Sequence, residues 1–435
     1  MSELSQTIGF AAGLYRQRAT IRYQAHVQRI PLSLLETRKG REDPYAVYRR
    51  MRGDGALAPT RRGNWVTVSH RVCDAVLRDR RFGVQRDPDV DLSFLATNPP
   101  DHTRLRRLAQ PAFSPKTLPA YRGRIEETIG QLLDRAIAGG SARPDGSGGR
   151  SGGSAPSGRL RLRTGRFDLV SGFAAPLPIS VITDLLGIPD ADSAEFERYG
   201  AAVGSALDGI TSLRQAARIK DADARLHELF QSVFALRRRE PADDLISRLL
   251  AAEGDQVDPG ELEPLVNLLL IAGFETTLNL IGNCVLALLR EPAQWETLCA
   301  DPDRWAPHAV EEALRYDPPV QGTSRIALQD VELEGVRVRR GQVVVLMIGA
   351  AGRDPEVYDR PGVFDIAREP GPGADHLAFG SGIHYCLGRP LALLEATTAV
   401  RMLAERLPGL RPAGRVRRRA STTIRGPRYL PVRAG

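Results

Sequence analysis

The sequence predicts a mainly α-helical protein with a small β region, folded as a single domain over residues 1–435. Three observations carry that expectation. An apolar helical pattern runs from Pro264 to Leu289, about 39 Å at 1.5 Å per residue, enough to cross the whole protein. A glycine-punctuated loop, Phe379-Gly380-Ser381-Gly382-Ile383-His384-Tyr385-Cys386-Leu387-Gly388, leads into a last amphipathic helix, Leu387 to Leu407. Strand-like alternation is confined to short stretches, chiefly Val331 to Val338 and Gln342 to Leu346.

In chain order, Pro44 to Met51 reads as a short helix and Gly63 to His70 as the end of a hairpin. Pro99-Pro100 opens a basic helix, Asp101 to Gln110, and another helix covers Tyr121 to Ile137. Residues 139–158 are crowded with Gly, Ser, Pro and Arg and nearly lack apolar side chains. Such a segment cannot bury enough surface to offset its ordering entropy, so it is expected to be a disordered insertion within the domain. Asp258-Pro259-Gly260-Glu261 has the N-cap, first-turn proline and acidic third position of a helix start; Pro264 offers a second possible start. The helix should end before Glu291-Pro292, and a second long helix should end in Glu311-Glu312-Ala313-Leu314-Arg315.

Composition sets the outer bounds. The chain is 42% apolar and 26% charged, ordinary for a globular protein. Net charge is +8, almost all from arginine, since Lys39, Lys116 and Lys220 are the only lysines. A basic surface suits an acidic protein partner; no nucleic-acid motif is present. The apolar start Ile8 to Tyr15 is too short to span a bilayer, so no membrane anchor is expected. Cys73, Cys284, Cys299 and Cys386 have neither zinc-site nor disulfide-scaffold spacing, which points to a reducing cytoplasm.

The chemistry concentrates in two places. Cys386 lies where free helix N–H groups and the helix dipole favour a thiolate, a nucleophile or metal ligand. In the long helix, Ala272-Gly273-Phe274-Glu275-Thr276-Thr277 interrupts a greasy run. Gly273 there marks either a close helix crossing or a distorted turn that admits a small molecule, with Glu275 and Thr276 handling protons. Glu312 and Arg315, at i and i+3, can pair on one helix face.

The Cys386 loop resembles the cytochromes P-450 at every position of that family's Phe-Gly-x-Gly-x-His-x-Cys-x-Gly signature. Ala272 to Thr276 matches its Ala/Gly-Gly-x-Asp/Glu-Thr segment, and Glu311 to Val320 its Glu-x-x-Arg helix and following loop. The resemblance covers roughly Pro44 to Val432. It implies the cytochrome P-450 fold, with haem b (heme, iron protoporphyrin IX) between the long helix and the Cys386 loop. Cys386 would be the iron ligand, as in the thiolate ligation known for the family. His102, Arg106, Arg325 and His384 would hold the propionates; Ala272, Gly273, Phe379 and Gly388 would line the cofactor. Thr276 would hydrogen-bond bound dioxygen, and Glu275 would relay protons. Glu312 and Arg315 would be structural. Many members add an arginine at the position of Val363, so Arg360 or Arg368 is left to complete that network.

The implied activity is insertion of one oxygen atom from O2 into an apolar organic substrate. Electrons would come from NAD(P)H through ferredoxin reductase and ferredoxin, with Arg104, Arg107 and Arg389 as docking charges. The alternatives are a peroxide-driven peroxygenase and a non-catalytic haem sensor or carrier. Phe94, Leu95 and Leu207 suggest an apolar ligand without identifying it.

Overall fold

The computed structural model describes residues 20, 23–25, 27, 28, 30–60, 63–85, 93–114, 116–138, 165–189, 193–205, 212–369 and 371–435. The 139–158 segment therefore lies outside the described residues, as does Leu207.

One helix, Pro259–Arg290, organises everything else. Asp258 caps it: the Asp258 N–H donates to Glu261 Oε2 at 3.0 Å. The helix takes in Pro264 instead of starting there, with loss of one amide hydrogen bond. Its length and apolar character would suit a membrane span, but 72% of its most apolar stretch is enclosed by protein. Helices Pro176–Leu186, Ser193–Gly204, Pro302–Tyr316 and Arg389–Arg406 pack around it, and their apolar faces merge into one large core.

Where a second long helix was expected there are two. Pro292–Ala300 ends at Asp301, which caps Pro302–Tyr316 by accepting from the Arg304 N–H at 3.3 Å. The predicted helices at Pro44–Arg52, Asp101–Ala109 and Pro119–Ala138 are present.

The β region is small. Its main sheet has the order Ala58–Pro59, Trp65–Thr67, Val343–Leu346, Thr323–Ala327, Phe82–Gly83, and only the pairing of Trp65–Thr67 with Val343–Leu346 is parallel. Val331–Leu333 and Val336–Val338 form a hairpin whose two turn residues, Glu334 and Gly335, both have positive φ, as a type I′ turn requires. The chain's last strand, Pro431–Arg433, sits between Arg166–Asp168 and Arg411–Pro412. A further hairpin, Arg417–Arg418 with Pro427–Tyr429, lies against the central helix, where Pro427 fills the space beside Gly282.

Candidate functional site

Cys386 is held by a tight loop. Its N–H donates to the Phe379 carbonyl at 2.8 Å, and Gly380 and Gly382 have φ of 73° and 70°. Gly382 is needed twice over, because a Cβ there would lie 2.3 Å from the Leu77 carbonyl oxygen. Gly388 has φ of −81°, and apart from its chain neighbours and its own helix no protein atom stands within 4 Å of where a Cβ would lie. The last helix begins at Arg389, not Leu387. The amides of Gly388 and Arg389 nevertheless reach the Cys386 sulfur. Burial pushes the Cys386 thiol up, and these amides with the Arg106 and Arg389 guanidiniums pull only partly the other way. A bound metal, which deprotonates a coordinating thiol, would act against that burial.

Beside the loop, four basic groups converge without a counter-charge among the described residues. His102 is buried and its ring lies 4.2 Å from that of His384. Among the described residues neither ring nitrogen of His102, nor His384 Nε2, has a hydrogen-bond partner. Arg106 donates to the Tyr385 carbonyl at 2.6 Å, and buried Arg325 to Thr323 Oγ1 and the Ser324 carbonyl. Among the described residues no carboxylate pairs with either arginine. The electrostatic consequence is uniform. Burial lowers the Arg325 pKa to about 10. Burial, then His102, Arg325 and Arg106, take His384 down to about 3.

On the central helix, Ala272 is exposed amid buried neighbours such as Leu270 and Phe274. The Thr276 hydroxyl donates to the Ala272 carbonyl at 3.0 Å, and Thr277 does the same to Gly273. The helix is continuous here, so the distorted turn is not seen. Gly273 is a helix crossing: a Cβ would lie 2.8 Å from Ile182 Cγ1 of the neighbouring helix. Glu275 is buried and pairs with Arg419, a residue that sequence reasoning missed. Its only advance signal was three consecutive arginines, Arg417 to Arg419, near the end of the chain.

Behind the Cys386 loop, Glu312 and Arg315 form a fully buried pair at 2.6 Å. Arg315 also donates to the carbonyls of Gly352, Pro361 and Val363. Of the two candidates for third partner, Arg368 is the one present, at 3.2 Å from Glu312; Arg360 pairs with Asp359 and Asp365 instead. A second unforeseen contact ties the loop itself. The Ala378 N–H donates to His376 Nδ1, leaving Nε2 to donate to Glu311 at 2.7 Å, while the His376 ring packs on Phe379. Arg104 is not a free charge: Glu261 holds it at 2.6 Å. Arg107 is exposed, and Arg389 pairs with Glu311 at 3.3 Å.

A cysteine under two amides, next to donors awaiting anions, on a long-helix scaffold, is the architecture of a haem-thiolate oxygenase. Residues 305–407 match the family profile described as Cytochrome P450. The chain is 41% identical over 374 residues to cytochrome P450 107B1 of Saccharopolyspora erythraea, covering 85% of this chain and 82% of that one. Its fold matches the ligand-free crystal structure of Mycobacterium smegmatis CYP164A2 with TM-score 0.80 and 37% identity, over 93% of this chain and 99% of that one. P450BioI, solved in complex with hexadec-9Z-enoic acid-ligated acyl carrier protein, matches with TM-score 0.80 and 33% identity, over 91% and 100%. The chain belongs to the cytochrome P450 family; it is a P450 monooxygenase, and its cofactor is haem.

The residues present fit that cofactor. Two propionates brought to His102, His384, Arg106 and Arg325 would supply the acceptors these buried donors lack, which offsets the cost of burying them. The open space beside Gly388 and the exposed Ala272 suit a flat ring between the cysteine loop and the central helix.

Proposed function

We propose that the protein inserts one oxygen atom from O2 into an apolar organic substrate, by hydroxylation or epoxidation. The observation that carries this reading is the adjacent pair of a buried carboxyl, Glu275, and a hydroxyl, Thr276, next to exposed Ala272 in an otherwise apolar helix. When bound, haem with a cysteine thiolate ligand supplies dioxygen activation, the thiolate's electron donation favouring O–O cleavage. Cys386 Sγ would be the ligand, and the Gly388 and Arg389 amides donate to it. His102, Arg106, Arg325 and His384 would hold the propionates, and Phe379 and Gly388 would line the ring. Thr276 Oγ1 gives up its bond to the Ala272 carbonyl to orient a proton toward the oxygen site. Glu275 carries protons to that hydroxyl from outside an apolar pocket. Glu312 and Arg315 keep the loop behind Cys386 in shape.

Electrons come from NAD(P)H through a ferredoxin reductase and an acidic ferredoxin. Arg107 remains as a docking charge; Arg104 is committed to Glu261 and Arg389 to Glu311. Charge reversal at Arg107 should slow ferredoxin-driven turnover in a salt-sensitive way, and an unchanged rate removes it from the docking surface. We place the protein in the cytoplasm, where its free cysteines stay reduced, and read residues 139–158 as an insertion within one domain. Of the relatives, only the apolar character of the P450BioI acyl chain is carried across to the substrate.

The test is the absorption spectrum of the dithionite-reduced protein under carbon monoxide, followed by NADPH oxidation with a surrogate ferredoxin and reductase. A strongly red-shifted Soret band establishes the thiolate. An ordinary Soret position removes Cys386 as ligand and favours a haem sensor or carrier. Product with peroxide but none with ferredoxin favours the peroxygenase.

A further inference from the structure

Residues 401–435 contain ten arginines and a single acidic residue, Glu405, in a chain whose whole net charge is +8. Five of the ten are already matched. Arg401 and Arg406 pair with Glu126 and Asp134, Arg418 and Arg425 with Asp317, and Arg419 with Glu275. Arg411, Arg415, Arg417, Arg428 and Arg433 are exposed, and among the described residues no carboxylate pairs with them.

The last sheet lines up two of these with a third exposed arginine. Arg433 stands directly opposite Arg166 on one side and Arg411 on the other. Directly opposed residues project to the same face with Cβ atoms about 4.5–5.5 Å apart. The three side chains therefore form a row about 10 Å long across the strands. Their neighbours Val432 and Phe167 point the other way and are buried in the main core, so the row faces outward. Like charges placed in this way destabilise a sheet. Asp168, two residues from Arg166 on the same face, does not offset them. Its carboxylate accepts from the Val170, Ser171 and Leu430 N–H groups and from the Ser171 hydroxyl. Arg166 lies against Gly414, where a Cβ would come 2.8 Å from its Nη2, which sets exposed Arg415 beside the row.

We propose that Arg166, Arg411 and Arg433 dock the protein on an anionic lipid bilayer, with lipid phosphates as the missing acceptors. A guanidinium pairs with phosphate through two parallel hydrogen bonds and is weakly hydrated. The row is open and lies across a sheet, which suits a surface carrying many phosphates; a single small anion is held in a concave site. It belongs to strands other than the elements that carry Cys386 and the four propionate donors, so it is not the face an electron donor has to reach. Lipid is favoured over nucleic acid because an apolar substrate collects in a bilayer. That choice rests on the apolar substrate proposed above. Contact of this kind is reversible and needs no spanning helix.

The experiment is flotation of the haem-loaded protein with vesicles of phosphatidylcholine alone, or of phosphatidylcholine and phosphatidylglycerol in equal parts. The carbon monoxide spectrum is the folding control for each variant. The protein should float with the anionic vesicles only, and molar salt should release it. The triple variant Arg166→Gln, Arg411→Gln, Arg433→Gln should bind about a hundredfold more weakly, since each arginine near an anionic surface contributes about fivefold. A second triple variant, Arg214→Gln, Arg218→Gln, Lys220→Gln, removes the same charge from exposed positions of helix Leu213–Arg239. Its binding should stay within about twofold of wild type, because charges beyond a Debye length of the bilayer are screened. No binding to anionic vesicles, binding that the row variant retains or that persists in molar salt, or equal loss in the two variants would overturn the proposal. Arginine-dependent binding of duplex DNA without binding of vesicles would overturn it in favour of nucleic acid. No substrate, O2 or electron donor enters the flotation, so its failure leaves the oxygenase reading standing, and the failure of that reading leaves the flotation result standing.

Discussion

Replacing Gly273 with alanine separates two explanations of the same glycine. The added Cβ would stand 2.8 and 2.9 Å from Ile182 Cγ1 and Cδ1, well inside ordinary van der Waals contact. Ile182 is 1% exposed and β-branched within a helix, so it has little freedom to step aside. Overpacking of this kind costs about 1–3 kcal/mol. Alanine regains about 0.5–1 kcal/mol of helix propensity. The net expectation is a loss of about 0–2.5 kcal/mol in the wild-type background. In an Ile182→Ala background the clash is gone, and the same substitution should stabilise by about 0.5–1 kcal/mol. The assay is urea unfolding followed by far-ultraviolet circular dichroism on the four proteins of the cycle. The coupling energy, about 1–3 kcal/mol, follows from the overlap alone. Equal effects of Gly273→Ala in the two backgrounds would refute the helix-crossing account and return Gly273 to the cofactor groove.

Glu312→Leu removes the acceptor of Arg315, Arg368 and the Asp365 N–H together, and should cost about 3–5 kcal/mol by chemical unfolding. Arg368→Leu should cost less, because that side chain sits nearer the surface and Arg315 stays paired. Gly382→Ala combines a left-handed backbone, about 1–2 kcal/mol, with a clash against the Leu77 carbonyl; the expected result is a drop in haem content and an altered carbon monoxide spectrum. Arg325→Leu should move two measurements in opposite directions. Haem transfer to apomyoglobin should quicken by the equivalent of about 1.5–3 kcal/mol. The haem-free protein should resist urea better, since a buried guanidinium without a carboxylate partner is gone.

What could be read in the linear chain was local. The Cys386 loop declares itself through three glycines and a histidine within ten residues, and two of those glycines prove to hold positive φ. The central helix announces its start through Asp258 and Glu261. Pairings between distant segments left no such mark. Nothing around Arg419 points to a carboxyl 144 residues earlier, and nothing near Arg104 tells that Glu261 will occupy it. Arg360 and Arg368 are equivalent as letters; only the path of the chain after Pro361 gives one of them to Glu312. Gly273 was ambiguous for the same reason, since its neighbour Ile182 belongs to another helix. At Cys386, the helix-terminus argument counted the amides but not the burial that opposes them.

The placing of the final strand turns the fold into a schedule. Pro431–Arg433 completes a sheet begun at Arg166–Asp168, and Arg425 closes on the carbonyls of Arg41 and Glu42, 384 and 383 residues away. At about 5–20 residues per second, the 144 residues between Glu275 and Arg419 represent roughly 7–30 s of translation. For that interval a 32-residue apolar helix exists in the nascent chain while the hairpin that covers its flank has not been made. The contacts of Glu275 and Asn283 with that hairpin therefore form only after this interval of synthesis.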